Sequence, residues 1–162
     1  MTFSLDNNSE CVLDTVKKIF DAKSEEEFRG IHAQFCQRGA KGIFLAQKGH
    51  AASYGQVAKT LDVVLKVAVY YCHLPDCDKS KQLTQWFNAA VDTKMMNMLK
   101  KHYAKDIEPW PSAIEQVNEQ NYVKIQELVR RFNTDKHQES IVPVQFDDYY
   151  WRALNRKAYS AC

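Results

Sequence analysis

Four polar side chains interrupt an otherwise apolar stretch in the middle of the chain. They are Gln56, Lys59, Asp62 and Lys66. Steps of three and four residues return to the same face of an α-helix, so this spacing places all four close to one line. Two ammonium groups around a carboxylate could hold a small anionic ligand and shift one another's pKa values. The sequence therefore predicts a ligand-binding stripe if this face meets a cleft, and an ordinary solvent-facing edge if it does not.

Cysteine and histidine residues, the types that bind zinc, occur together in two places. His32 and Cys36 are four positions apart, and Cys72, His73 and Cys77 follow the apolar stretch. A structural zinc site needs four ligands, usually in short and regular pairs, and neither spacing supplies them. Buried free thiols and a polar histidine explain the same residues, so we expect no metal and no other cofactor.

Arg131 and His137 form a third candidate site. With five residues between them, the pair resembles the Arg and His motif of the helical ribonucleases called HEPN domains. The resemblance covers these two residues and implies a dimeric, metal-independent ribonuclease, in which both residues of two protomers act on the scissile phosphate and the 2′-hydroxyl. In that family the motif opens a helix, whereas Asn133, Thr134 and Asp135 favour a helix end here. The alternative is a solvated loop.

The C-terminal residues predict a helix with basic and aromatic side chains on one face. This C-terminal stripe consists of Tyr149, Arg152, Arg156 and Tyr159. Arginine pairs with phosphate oxygens, and tyrosine offers a plane on which bases stack, so the stripe suits nucleic acid or an acidic protein partner. The alternative is a solvated surface whose rings pack partly on their neighbours.

Composition and motif content exclude several classes of protein. Hydrophobic residues make up 45% and charged residues 26% of the 162 residues, as in an ordinary folded domain. The net charge of +2 gives no overall attraction to a polyanion, so any nucleic-acid surface must be local. The sequence has no glycine-rich phosphate loop, nucleophile elbow or pair of histidines flanking a glutamate, and so gives no support to nucleotide hydrolysis or acyl transfer.

Targeting signals are also missing from the pattern. Residues 1–11 carry Asp6 and Glu10 and lack the basic and apolar regions of a signal peptide. The longest apolar stretch, 63–72, is interrupted by Lys66 and is too short to span a bilayer. The five cysteines are odd in number and scattered, which favours reduced thiols. We therefore expect a cytoplasmic protein without membrane contact.

Helices must position all of these residues, because strand signals are nearly absent. The first predicted helix covers 9–22, and the second begins at the Ser24 and Glu27 capping box and stops at Gly39. The central helix covers 53–72. One or two helices over 83–99, a helix around 122–132 and a last helix over 147–157 follow it. Residues 133–142 are predicted to form a polar loop and 158–162 a disordered tail.

These elements predict an all-α fold, a single-domain bundle of about five to seven helices around the apolar helix Ser53 to Cys72. The favoured function is a non-enzymatic binding module that engages nucleic acid or a protein partner through the C-terminal stripe. The alternatives are a HEPN-like dimeric ribonuclease and a receptor for a small anionic ligand that uses the polar stripe of the central helix.

Overall fold

Helical elements follow one another along nearly all of the described chain. The computed structural model describes residues 12–45, 49–137 and 141–150. The α-helices of these ranges are α1 (Val12–Asp21), α2 (Glu25–Gly42), α3 (Tyr54–Leu65), α4 (Cys77–Trp86), α5 (Thr93–Tyr103) and α6 (Glu119–His137). Shorter elements are a π-helix (Lys66–Tyr71), two 3-10 turns (Ile114–Gln116 and Pro143–Gln145) and a helical segment over 146–150. The strands β1 (Phe44–Leu45) and β2 (His50–Ala51) pair antiparallel. The predicted all-α fold class is confirmed.

Side-chain caps begin three of the helices, and the cap of α2 was predicted from the sequence. The Ser24 hydroxyl oxygen accepts a hydrogen bond from the Glu27 N–H at 3.2 Å, which confirms the start of α2. At α3, Ser53 and Gln56 form a full capping box, in which each side chain accepts from the backbone N–H of the other residue. The stretch 83–99 contains two helices, because the Asp92 carboxylate accepts from a backbone N–H and begins α5.

The predicted central helix is formed by α3 and the π-helix that continues it. Leu61, Leu65 and Val69 are fully buried, and α3 packs against both α2 and α6. The apolar surface does not continue all the way round, because Val63 and Val67 lie on an exposed outer face. The core of the domain therefore lies on the inner side of the central helix, and α1, α4 and α5 also contribute buried residues to it.

Gly39 does not end α2, and the prediction that it would is wrong. The helix continues to Gly42. A Cβ atom at Gly39 would lie 2.6 Å from Val57 Cγ1, so the glycine allows α2 and α3 to cross closely. The residue type was informative, but a glycine within a helix can serve packing as well as termination.

The polar loop predicted over residues 133–142 is wrong for its first half, because α6 continues to His137. Residues 138–140 lie outside the described ranges. Asn133 is buried, and its Nδ2 donates to the Ile141 carbonyl at 3.1 Å. A tertiary hydrogen bond thus supports helical geometry where the intrinsic preference of the residues alone favours a turn.

Two further predictions concern the ends of the chain. Residues 9–11 of the first predicted helix, 151–157 of the last, and the predicted tail at 158–162 all lie outside the described residues. Within the described ranges, no helix combines the length and the apolar character needed to cross a bilayer.

Candidate functional site

The polar stripe of the central helix is divided between separate surroundings. Gln56 uses its side chain in the capping box at the start of α3. Asp62 is only 2% exposed and meets α2 and α6. Lys66 is also buried and meets the helical segment 146–150, whereas Lys59 lines a cavity next to that segment. The structure does not bring the four predicted ligand-binding residues into one pocket.

Asp62 is the acceptor at the centre of a buried hydrogen-bonded cluster. The Tyr122 hydroxyl donates to Asp62 Oδ2 at 2.7 Å, and His32 Nε2 lies 2.9 Å from Asp62 Oδ1. On the other side of the imidazole, Cys36 Sγ lies 3.7 Å from His32 Nδ1. The Tyr54 ring completes the cluster, since its centroid lies 5.6 Å from that of Tyr122 with the planes at 57°. We call these five residues the buried cluster; they come from α2, α3 and α6.

The Tyr122 hydroxyl and the His32 ring both point to the Asp62 carboxylate. Burial is the main cause that raises the pKa values of Cys36, Tyr54 and Tyr122, so all three groups keep their protons at neutral pH. Cys36 Sγ faces His32 Nδ1, and His32 Nε2 faces the Asp62 carboxylate, to which an N–H on Nε2 donates.

Cysteine, histidine and aspartate are also the residue types of a cysteine hydrolase triad, but their arrangement here favours hydrogen bonding over nucleophilic attack. A nucleophilic cysteine needs a thiolate that substrate can reach. Cys36 is 0% exposed, and burial raises the pKa of its thiol. Both ring nitrogens of His32 are directed to partners inside the protein. The cluster thus ties three helices together and leaves no free base.

A cavity of about 210 Å³ lies beside the buried cluster, between α2 and α6. We call it the α2/α6 cavity. His32, Tyr54 and Tyr122 contribute to one part of its lining, and Arg29 and Asn88 contribute polar groups to another. Because the nitrogens of His32 and the hydroxyl of Tyr122 are engaged with other residues of the cluster, these side chains offer mainly ring carbon atoms to the cavity.

Arg130 reaches the α2/α6 cavity through Asn88 and is not itself one of the lining residues. Its Nη2 donates to Asn88 Oδ1 at 3.3 Å, and Asn88 lines the α2/α6 cavity. Burial lowers the pKa of Arg130, and the nearby Arg29 guanidinium lowers it further. Arg29 forms an ion pair with Glu25, whereas no carboxylate of the described residues forms a salt bridge with Arg130. The carboxylates of Glu25 and Glu127 act on Arg130 without a salt bridge and raise its pKa, but they do not offset the effect of burial.

A second group of charges surrounds Lys66. Its Nζ lies 3.2 Å from Asp147 and 3.0 Å from Asp148, and the Tyr71 hydroxyl also donates to Asp148. Burial alone would lower the pKa of Lys66, but the two carboxylates outweigh burial and raise it. At Asp147 burial outweighs the single lysine and raises the pKa of the carboxyl group. Three charges are thus largely used to fix segment 146–150 to the central helix.

Next to this group is a second cavity of about 310 Å³, which we call the α3/α5 cavity. Val63, Met95 and Phe146 contribute apolar groups to its lining. Two lysines and three aspartates also line it, and two of these aspartates, Asp147 and Asp148, are already paired with Lys66.

Comparison with known proteins gives no family to which either cavity could be assigned. No known protein family, curated protein or solved structure matches this chain. Functional interpretation therefore depends on the geometry and charge of the residues themselves.

The predicted pair of Arg131 and His137 lies at the end of α6. Arg131 lies near the end of α6, where its guanidinium pairs with Asp106 at 3.3 Å and lies over the Tyr103 ring. Arg131 and His137 thus close a helix rather than open one, and the His137 side chain is outside the description. Within the described residues, no group of three His, Cys, Asp or Glu side chains could hold a metal ion.

The C-terminal stripe is described at one residue. Tyr149 is 53% exposed, and Arg152, Arg156 and Tyr159 lie outside the described residues. Among the cysteines of the described ranges, Cys72 and Cys77 are exposed and free.

Sequence reasoning singled out Asp62 but missed most of its neighbours. Tyr122 was placed only in the helix predicted around 122–132, and its hydroxyl partner is 60 positions away. Asn88 and Arg130 carry no local signal, because their contact joins residues 42 positions apart. The available signal was a carboxylate within an apolar helix, since a buried charge requires buried partners from elsewhere in the chain.

Proposed function

We propose that this protein is a non-enzymatic receptor for a small organic anion, which binds in the α2/α6 cavity. The observation that carries the proposal is Arg130, a partly buried guanidinium that donates to the cavity-lining Asn88 and forms no salt bridge with a carboxylate of the described residues. Burying a charge is favourable only when a counter-charge or hydrogen-bond partner compensates for the lost hydration. A bound anion would supply that counter-charge.

The polar groups around Arg130 support the same proposal. Asn88 accepts from Arg130 through Oδ1, and its amide nitrogen has no acceptor among the described residues. Gln126 holds the neighbouring backbone in place, because its side-chain amide both accepts from and donates to Ala89 at 3.0 and 2.8 Å. A rigid amide donor next to a guanidinium is a suitable arrangement for an oxyanion.

Binding without chemistry follows from the state of the titratable groups. General acid or base catalysis needs a group that can exchange a proton with the ligand. At the α2/α6 cavity, both nitrogens of His32 and the hydroxyl of Tyr122 are engaged inside the protein. A receptor role therefore agrees with the geometry better than an acid–base enzyme does.

The test measures the binding of small organic anions to the wild-type protein and to Arg130→Gln by ¹⁵N–¹H NMR titration. We expect the substitution to weaken binding about 10- to 150-fold, which corresponds to the roughly 1.5–3 kcal/mol of hydrogen bonds to a charged group. Arg131→Gln is the matched control, because it makes the same charge change on the same helix and its side chain pairs with Asp106. Equal weakening by both substitutions would indicate a general charge effect and would refute the receptor site.

Binding of nucleic acid or a protein partner by the C-terminal stripe is a second candidate function. The Tyr149 side chain favours it, because it is 53% exposed and bases stack on aromatic rings at protein surfaces. Arg152 and Arg156 would supply the phosphate contacts, and their substitution tests this candidate directly.

A further inference from the structure

We infer that the C-terminal ends of α5 and α6 together form a binding surface for the phosphate backbone of a nucleic acid. We call it the lysine surface. None of its residues lines the α2/α6 cavity, so the inference goes beyond the receptor function. The cations of the lysine surface are Lys100, Lys101, Lys105 and Lys136.

Two side-chain contacts hold these helix ends together. The Tyr103 hydroxyl donates to Asp135 Oδ2 at 3.0 Å, and the Arg131 guanidinium pairs with Asp106 at 3.3 Å. The last turn of α5 and the turn that follows it therefore lie beside the last turn of α6. Lys100 and Lys101 belong to the first of these turns, Lys105 to the second and Lys136 to the third.

The charges at this end of the bundle do not balance. Residues 100–108 and 131–136 carry five cationic side chains against three carboxylates, and this surplus of two equals the net charge of the whole chain. Asp106 already pairs with Arg131, so the four lysines are left with the carboxylates of Glu108 and Asp135. All four lysines are exposed, and none forms a salt bridge with any of the described residues. A polyanion would supply counter-charges to all of them at once.

The surroundings of the lysines favour a nucleic acid over a membrane or a protein. Stable membrane binding combines cations with inserted apolar side chains, and the centre of a protein–protein interface is apolar as well. Within the described ranges, none of the large apolar side chains that are exposed belongs to 100–108 or 131–136. Contacts to a phosphate backbone need only cations and polar groups.

The lysine surface also adjoins the segment that leads to the C-terminal stripe. The Phe132 ring contacts the His102 ring, with centroids 5.1 Å apart, and the Tyr150 ring, with centroids 5.2 Å apart. Tyr149, the first residue of the stripe, precedes Tyr150 in the chain. A strand bound along the lysine surface can therefore continue towards Tyr149, which makes this surface a neighbour of the predicted stripe and not a copy of it.

The salt dependence of binding counts the phosphates that the lysines neutralise. The probe is a fluorescently labelled poly(dT) strand, and anisotropy measures its affinity at several salt concentrations. Each neutralised phosphate of a single strand adds about 0.7 to the slope of log affinity against log salt. Four lysines thus predict a slope of about −2.8, which is a loss of roughly 50-fold in affinity between about 50 and 200 mM salt.

A pair of substitutions tests whether the lysine surface is the site. Lys100→Gln combined with Lys101→Gln should reduce the slope to about −1.4. The matched control is Lys17→Gln combined with Lys81→Gln, which makes the same charge change at exposed lysines that pair with Asp14 and Asp78. We expect the control to keep the wild-type slope, and circular dichroism shows whether both variants are folded.

Several results would overturn the inference and leave the receptor function intact. Absence of poly(dT) binding by wild type at low salt is one, and an equal change of slope in the control is another, because it would indicate a general charge effect. If the slope changes only on replacing Arg152 and Arg156, the C-terminal stripe is the site. If the folded Lys100 and Lys101 variant loses thermal stability and keeps the wild-type slope, these lysines serve only the helix dipole. Lysine-dependent binding to phosphatidylserine vesicles without binding of poly(dT) would point to a membrane.

Discussion

Replacing Asp62 with alanine should destabilise the fold severely, because two buried donors lose their acceptor at once. The Tyr122 hydroxyl and His32 Nε2 both meet this carboxylate, and both side chains are at most 3% exposed. An unsatisfied buried polar group costs about 1–3 kcal/mol, so two of them give a loss of about 2–6 kcal/mol in the free energy of unfolding. This amount is a large part of the roughly 5–15 kcal/mol that stabilises a typical domain.

Urea denaturation followed by helical circular dichroism measures the loss. Thermal unfolding should shift down by about 4–24 °C, at roughly 2–4 °C per kcal/mol for a domain of this size. Asp78→Ala is the matched control, because the Asp78 side chain is 99% exposed and makes a single long ion pair with Lys81 at 3.9 Å. We expect the control to change stability by at most about 0.5 kcal/mol.

A double-mutant cycle with Tyr122→Phe tests the cause of the effect. If Asp62 stabilises the fold as an acceptor for Tyr122, the two substitutions together should cost less than the sum of their separate effects. The reasoning is refuted if the free energy of unfolding of Asp62→Ala lies within about 1 kcal/mol of the wild-type value, since this is the net contribution of one ordinary hydrogen bond.

Three further predictions follow from particular residues. Gly55→Ala should lower the free energy of unfolding by about 1–3 kcal/mol, because the added Cβ would lie 2.6 Å from Val117 Cβ. Gly30→Ala, whose Cβ would meet nothing within 4 Å, should raise it by up to about 1 kcal/mol, and urea denaturation measures both changes. Because burial raises the pKa of Cys36, the folded state keeps a proton that the unfolded state releases, and stability should therefore fall above about pH 8.5. Denaturation at several pH values should show a shallower dependence of stability on pH for Cys36→Ser than for wild type. Replacing Arg152 and Arg156 with Gln should weaken binding to single-stranded oligonucleotides and reduce its salt dependence, and absence of binding by wild type at low salt would remove nucleic acid as a partner.

The accuracy of the sequence-based predictions depended on how local the deciding interaction was. The cap at Ser24 involves residues three positions apart, so its chemistry could be recognised directly. Gly39 was assigned as a helix end because its contact with Val57 depends on how two helices cross. Asn133 was placed in a loop because its preference is overridden by a hydrogen bond to a residue beyond the helix.

The candidate site could be predicted only in part, for the same reason. Asp62 was identifiable as a polar residue in an apolar helix, and His32 and Cys36 as a pair on one helix face. Their hydrogen bonds to one another require α2 and α3 to be packed together. The pairing of Arg130 with Asn88, and the cavity beside them, are properties of the assembled bundle and have no counterpart in a local pattern.

The long sequence separations within the buried cluster also bear on when the fold is completed during synthesis. His32 and Tyr122 are 90 positions apart, and Asp62 has only His32 as a partner until α6 is available. Closing so long a loop is entropically unfavourable until the contact itself forms. A nascent chain that ends before α6 therefore carries a carboxylate whose tyrosine partner has not yet been added. Completion of the three-helix contact, and with it of the α2/α6 cavity, must wait until α6 has been made and has left the ribosome.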